Sequence, residues 1–270
     1  MSNREQGSVP RSAHLTGKHA IITGGGRGIG AAIADELARL GASVTLMGRS
    51  RDVLEAHASC VAERFGVRTR SVLCDVADED SVSAAFAEAR DGLGAPYVLV
   101  NNAGQAEGAS VLNTSLEMWN RLLAVNLTGT FLCSRAVLPD MLEAATGRII
   151  NIASTAGLRG SSRITAYCAS KHGVVGFTRA LAAETAKRGI TVNAVCPTYT
   201  DTDMSERAAE NVSAGTGRSL EEARELLTRP IPIGRLVRPT EIASLVGWLC
   251  APEAAAVTGT AIPVAGGEVM

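Results

Sequence analysis

Lysine is nearly missing from this chain. Of its 26 basic residues, only Lys18, Lys171 and Lys187 are lysines. Aromatic residues make up 3%, with tyrosine at positions 97, 167 and 199 alone. The formal net charge is −1 and no basic stretch breaks the balance, so no nucleic-acid partner and no polybasic membrane contact are expected. No run of about 20 uninterrupted apolar residues occurs, which argues against a membrane span. The six cysteines are scattered without a C-x-x-C pair, so they read as small buried hydrophobes of a reducing, cytoplasmic protein. H-E-x-x-H and comparable metal spacings are absent, and no metal is expected. Residues 1–14 are polar and lack an apolar segment; they read as a flexible arm, not as a signal peptide.

What is present is an α/β rhythm. The chain has 270 residues, 46% of them hydrophobic, with 28 glycines. That length suits one large domain, 15–270, better than two. Short apolar runs at 18–23, 43–47, 67–76, 97–104, 147–154, 190–197 and 260–267 read as strands. Helical spacing occupies 28–41, 50–65, 78–91, 115–143, 165–188 and 239–250. Continuous apolar strands alternating with helices predict a single-domain, doubly wound (Rossmann) parallel sheet of about seven strands, covered on both faces. The rhythm breaks over 198–235, a polar stretch too long for an ordinary connection and read as a small lid.

The stretch "ITGGGRGIG" (22–30) lies where the first strand meets the first helix. Glycines there permit a tight turn and let backbone N–H groups approach a pyrophosphate, helped by the positive end of the helix dipole. Gly24, Arg27, Gly28, Ile29 and Gly30 are the candidate contacts. A glycine-rich turn alone is weak evidence; its place between strand and helix strengthens it. The second strand ends in "LMGRSR" (46–51). A ribose with a free 2′-hydroxyl wants an acid at that strand end, whereas a 2′-phosphate wants an arginine. Gly48 stands at the acidic position and Arg49 follows, so NADPH is favoured, with NADH the alternative. Asp75, after the third strand, suits an adenine amino group. Asn102, Ala103 and Gly104 of "NNAG" lie at the strand ends that face the ligand crevice.

In "YCASK" (167–171), Tyr167 and Lys171 stand four residues apart and share a helix face. A free phenol titrates near ~10, too high for efficient proton exchange at neutral pH, and a neighbouring ammonium is expected to lower it. Ser154 ends the fifth strand, where its hydroxyl can orient a substrate oxygen beside the phenol. Individually, a serine at a strand end is commonly a cap and a helical tyrosine commonly packs. Jointly they suit proton transfer to a carbonyl oxygen while a cofactor delivers hydride to carbon.

With "TGGGRGIG", "CDV" (74–76), "NNAG", "VNLTG" (125–129), Ser154, "YCASK" and "VNAVCP" on one chain, the sequence resembles the short-chain dehydrogenase/reductase family over residues 15–270. "PIGRLVRPTEIA", near its end, is similar to bacterial 3-oxoacyl-thioester and polyketide ketoreductases. The resemblance implies an NAD(P)-dependent oxidoreductase with a tetrad of Asn126, Ser154, Tyr167 and Lys171, in which Asn126 holds a water that links Lys171 to solvent. It implies further cofactor contacts at Val76, Pro197, Thr200 and Thr202. It also implies a homotetramer or dimer built through the helices at 115–143 and 165–188. One position departs from the pattern: Pro197 is followed by Thr198 where members carry glycine, and a threonine side chain there narrows the pocket or restricts the loop.

The substrate pocket is expected between Gln105, Ala156, Leu158, Arg159, Tyr199 and Met204. Such a lining suits a small-molecule carbonyl or alcohol. An acyl group tethered to an acidic carrier protein would need a basic docking patch, for which Arg159, Arg163 and Arg188 are the available residues. Two other readings stay open: an NAD-dependent dehydrogenase of hydroxyacyl-CoA or sterol-like secondary alcohols, and a dinucleotide sensor without catalysis. A full Ser, Tyr, Lys and Asn set argues against the sensor, because binding alone needs no proton donor. His172 reads as packing. Ser154 lacks the G-x-S-x-G elbow of a hydrolase nucleophile.

Overall fold

The computed structural model describes residues 13–269. The arm expected over 1–14 therefore falls outside the described residues, Ala13 and His14 excepted. The elements follow the predicted alternation: β1 (His19–Thr23), α1 (Gly28–Arg39), β2 (Ser43–Gly48), α2 (Arg51–Phe65), β3 (Thr69–Leu73), α3 (Glu79–Leu93), β4 (Val98–Asn101), α4 (Leu116–Leu123), α5 (Gly129–Glu143), β5 (Gly147–Ile152), α6 (Thr165–Thr185), β6 (Ile190–Pro197), α7 (Asp203–Thr216), α8 (Leu220–Thr228), α9 (Pro239–Leu249) and β7 (Ala261–Val264). The seven strands form one sheet in the order β3-β2-β1-β4-β5-β6-β7, and every pairing is parallel. The order reverses between β1 and β4, which opens a crevice at the carboxyl ends of those strands.

Side-chain alternation explains the two-faced core. In β1, Ala20 and Ile22 point to one face and pack with α1, α2 and α9 through Ile33, Leu37, Leu54, Val246 and Leu249. Ile21 points to the other face, where Phe86 of α3, Val137 and Met141 of α5 and Leu181 of α6 gather. All five β1 residues are buried, the signature of a strand covered on both sides. Each fully buried side chain of this size stabilises the fold by about 1.5–3 kcal/mol. Local chemistry fixes the joints. Asp78 caps α3 by accepting from the backbone N–H groups of Asp80 and Ser81, and α2 ends on Gly66 in the left-handed conformation.

One segment differs from the sequence reading. The helix expected over 115–143 is interrupted: Ala124–Thr128 between α4 and α5 is a π-helical turn. The whole run Leu116–Glu143, 28 residues, is long and apolar enough to cross a membrane by composition alone, but Leu122, Leu132, Cys133, Val137 and Met141 are buried in this fold. The polar stretch 198–235 carries two further helices, α7 and α8. A capping box between Ser219 and Glu222 starts the second of them.

Candidate active site

The glycine turn after β1 is shaped by close approach. A Cβ on Gly30 would lie 2.1 Å from the Gly24 carbonyl oxygen, so only glycine fits. Gly24 and Gly28 both adopt positive φ, at 65° and 57°. The first turn of α1 has no side-chain cap from its N-cap residue Arg27, which leaves N–H groups for a ligand. Asn102 braces the turn from β4, its amide donating to the carbonyls of Thr23 (2.9 Å) and Gly24 (3.1 Å). The Thr23 hydroxyl accepts from the backbone of Asn102 and Ala103. Such a cradle fits a pyrophosphate.

Arg49 is exposed beyond β2 and makes no hydrogen bond or ion pair among the described residues. Arg51 is committed to Glu55 at 3.4 Å. Arg27 lies 3.9 Å from Asp203, both exposed, at the start of α7. The free guanidinium of Arg49 fits the 2′-phosphate of NADPH, and a Cβ on Gly48 would meet nothing nearer than Leu54 at 3.5 Å. Glycine is thus not sterically required at 48; what the position lacks is an acid. Asp75 spends one carboxylate oxygen on the N–H of Ala77 at 3.0 Å. Val76 is buried, and Ile29 packs half-buried against the core.

The candidate catalytic residues converge at the carboxyl ends of β4 and β5. Ser154 accepts from the N–H of Ala156 at 3.1 Å and so caps the 3-10 turn Thr155–Gly157. Lys171 is buried, donates to the Ile152 carbonyl at 2.8 Å, and places its Nζ 5.7 Å from the centre of the Tyr167 ring. Asn126 lies in the π-helical turn, its oxygen accepting from Gln105 N–H (2.8 Å) and its amide donating to Gln105 O and Ser170 Oγ. A Cβ on Gly104 would sit 3.2 Å from Asn126 Oδ1 and 3.6 Å from Lys171 Nζ, so the "NNAG" turn lies beside both.

The electrostatics correct one expectation. Tyr167 is not lowered; desolvation of the phenol pushes it up to about 12, with a hydrogen-bonding interaction from Ser154 acting in the opposite direction. Burial brings Lys171 down to about 8. At neutral pH the phenol is therefore a proton donor beside a largely charged lysine, the state that suits reduction of a carbonyl.

The expected pocket residues differ in exposure. Tyr199 and Met204 are exposed, Ala156 is buried in the turn after Ser154, and Leu158 packs on Ala153 and Val174. Thr200 is buried and bonds Thr198 O, and Thr202 bonds Thr200 O. Thr202 also lies 3.3 Å from a Cβ placed on Gly28, joining the foot of α7 to the glycine turn. Thr198 needs no glycine backbone, since it is not among the residues with positive φ. Its hydroxyl is buried without a hydrogen-bond partner among the described residues. Arg159 pairs with Glu268, and Arg188 bonds the Leu142 carbonyl, so two of the three arginines available for carrier docking are engaged. His172 is exposed with its ring on the Cys168 carbonyl. The cleft beneath α7 and α8, lined by Asp201, Asp203, Glu206 and Arg224, contains none of the catalytic candidates.

Sequence reasoning missed three things here. The amide of Asn101 donates to Asn151 Oδ1 (2.9 Å) and Ser134 Oγ (3.0 Å), and Asn151 donates to Thr178 Oγ1 (2.8 Å). Two asparagines inside otherwise apolar strands were the available signal. Ser170 supports Asn126, and Glu268 enters from the far end of the chain; neither lies in a pattern that points to it.

A family profile described as short chain dehydrogenase matches residues 18–213. The chain is 42% identical over 257 residues to the 3-oxoacyl-(acyl-carrier-protein) reductase FabG of Pseudomonas aeruginosa, covering 95% of this chain and 99% of that one. It is 40% identical to 2-(S)-hydroxypropyl-CoM dehydrogenase 3 of Xanthobacter autotrophicus, covering 95% and 98%. A crystal structure of a point variant of actinorhodin polyketide ketoreductase with NADPH superposes with a TM-score of 0.90 at 40% identity, over 97% of this chain and 98% of the other.

Proposed function

The chain belongs to the short-chain dehydrogenase family, and from that premise we propose that it is an NADPH-dependent ketoreductase in which Tyr167 protonates the carbonyl oxygen of a 3-oxoacyl thioester or related ketone. The observation that carries this reading is the convergence of Ser154, Tyr167 and a buried Lys171 beside a glycine cradle with an unpaired Arg49 at its edge. NADPH, when bound, supplies hydride to the carbonyl carbon. Arg49 and Arg27 take the 2′-phosphate, and the α1 N-terminus takes the pyrophosphate.

The remaining work falls to this chain's own residues. Ser154 orients the carbonyl oxygen toward the phenol. Tyr167, held neutral by its surroundings, gives its proton to that oxygen as negative charge develops there. Lys171 steadies the resulting phenolate and hydrogen-bonds the nicotinamide ribose. Asn126, fixed by Gln105 and Ser170, holds the water through which the proton is restored. The segment 198–235 acts as the lid over the substrate.

The same reading makes the protein a cytoplasmic enzyme, which its six free cysteines support. It also makes it a homotetramer or dimer through α5 and α6, where Phe131 lies 41% exposed and edge-on to Phe177. The test is NADPH oxidation against a panel of 3-oxoacyl N-acetylcysteamine thioesters and cyclic ketones. Turnover that depends on Tyr167 is expected. Tight NADPH binding without turnover on any carbonyl would replace the enzyme with a dinucleotide sensor.

A further inference from the structure

We propose that Glu268 reads the substrate: its second carboxylate oxygen accepts a hydrogen bond from a hydroxyl group that the ketone carries away from its reacting carbonyl. This rests on the ketoreductase reading and deepens it by naming a substrate class, hydroxylated ketones.

Glu268 follows two glycines past β7. Gly266 and Gly267 both take positive φ, at 55° and 91°, and turn the chain back on itself, with Glu268 N–H bonding Ala265 O at 3.0 Å. The turn is wedged against the end of the 198–235 segment. A Cβ on Gly266 would meet Ile233 at 2.5 Å, and one on Gly267 would meet Pro232 at 3.0 Å. The side chain held there is only 4% exposed. One oxygen, Oε1, takes a hydrogen bond from Arg159, which lies on the chain leaving Ser154. The other, Oε2, is buried and has no donor among the described residues.

An ion pair that merely tied the C-terminal turn to the Ser154 turn would account for Oε1 alone. It leaves a carboxylate oxygen desolvated and unsatisfied, an arrangement that native interiors seldom keep without a purpose. Arg159 already balances the charge, so the remaining lobe suits a neutral donor better than a second cation. Arg159 N–H bonds Thr155 O at 3.1 Å, so the ion pair holds that lobe against the turn that Ser154 caps. Burial, helped by the Glu268 carboxylate, pushes the Tyr199 phenol up. A second unsatisfied group, the buried Thr198 hydroxyl, stands on the neighbouring strand end, where Thr198 N–H bonds Val264 O. Two buried polar atoms without a hydrogen-bond partner among the described residues thus stand at the end of β7, and together they are the polar subsite of this proposal.

The test compares 3- and 4-substituted cyclohexanones bearing a methyl, a hydroxyl or a methoxy group, with NADPH and the full chain. In the wild type, kcat/KM for a hydroxyl compound should exceed that of both its methyl and its methoxy analogue by about tenfold, because an ether cannot donate. In Glu268→Gln, the amide oxygen faces Arg159 and an N–H donor replaces Oε2. The hydroxyl-over-methoxy ratio should then fall to about one. A ratio is unmoved by a general loss of folded enzyme, so a merely structural role would leave it unchanged. Equal kcat/KM for the three groups in the wild type would overturn the proposal without any variant, as would a ratio that survives Glu268→Gln. Affinities for the same compounds, measured calorimetrically in the presence of NADPH, should show the same ratio. If no ketone turns over, the ketoreductase reading fails while this binding ratio still decides the role of Glu268.

Discussion

On the β1 side of the crevice the site is made by backbone. Gly30 lets α1 close on the Gly24 carbonyl, and the Asn102 amide and Thr23 hydroxyl lock the two strand ends together. Every partner lies in a short motif following a strand. On the β6–β7 side the site is made by side chains from remote parts of the chain. Arg159 reaches Glu268 across 109 positions, Thr198 stands beside β7, and the glycines of the last turn hold Ile231 to Ile233. A nucleotide presents the same phosphates in every enzyme that binds it, so a backbone cradle can be fixed. Substrates differ, and side chains on irregular segments change without disturbing the sheet. Under the proposed function, the half that binds what is common is rigid and local, and the half that binds what is particular is assembled from a distance.

Substitutions on the two sides should therefore fail differently. Tyr167→Phe, on the seam between them, removes the proposed proton donor and should lower kcat by ~10³-fold with NADPH affinity retained; fluorescence titration beside steady-state rates checks both halves of that statement. Gly30→Ala, on the backbone side, forces a Cβ to within 2.1 Å of a carbonyl oxygen. It should destabilise the protein by about 1–3 kcal/mol in urea unfolding and abolish cofactor binding at the same time.

Lys171 tests the seam through stability. The folded protein holds it near 8, against an ordinary value of 10.5. Between those values the unfolded chain binds the extra proton, so the stability of the wild type should rise as pH increases from about 8 to about 10. Lys171→Met should lose that rise, a difference on the order of 2 kcal/mol in urea unfolding across the window. A slope identical in both proteins would return Lys171 to ordinary titration. Smallest is Arg49→Ala, which should reduce the NADPH-over-NADH preference by about tenfold in kcat/KM while leaving NADH kinetics nearly unchanged. An unchanged preference would move the phosphate contact to Arg27.

The same contrast explains what could be read beforehand. The seven strands, their parallel pairing and the glycine cradle follow from apolar runs and local spacing, so they were legible. Tyr167 and Lys171 stand out because both residue types are scarce here. The interruption at Ala124–Thr128 was not legible: a π-helical turn holds one residue more than an α-turn, and the apolar spacing on either side reads as one helix. The direction of the Tyr167 shift was missed because helical spacing showed the lysine but not the packing around the phenol. Glu268 was missed because its partner is fixed only by the tertiary fold.

The asparagine pair at the centre of the sheet has a further consequence. Asn101 and Asn151 stand directly opposite each other in the β4–β5 register, and their amides also engage Ser134 of α5 and Thr178 of α6. Apolar strands alone tolerate sliding, since one valine fits much like another. A slip of either strand by one residue would turn its amide to the opposite face and break the bond between the two. The pair thus works as a key in a keyway, indexing strand to strand and each strand to its helix. The position of Tyr167 relative to Ser154 is set by counting residues from that key.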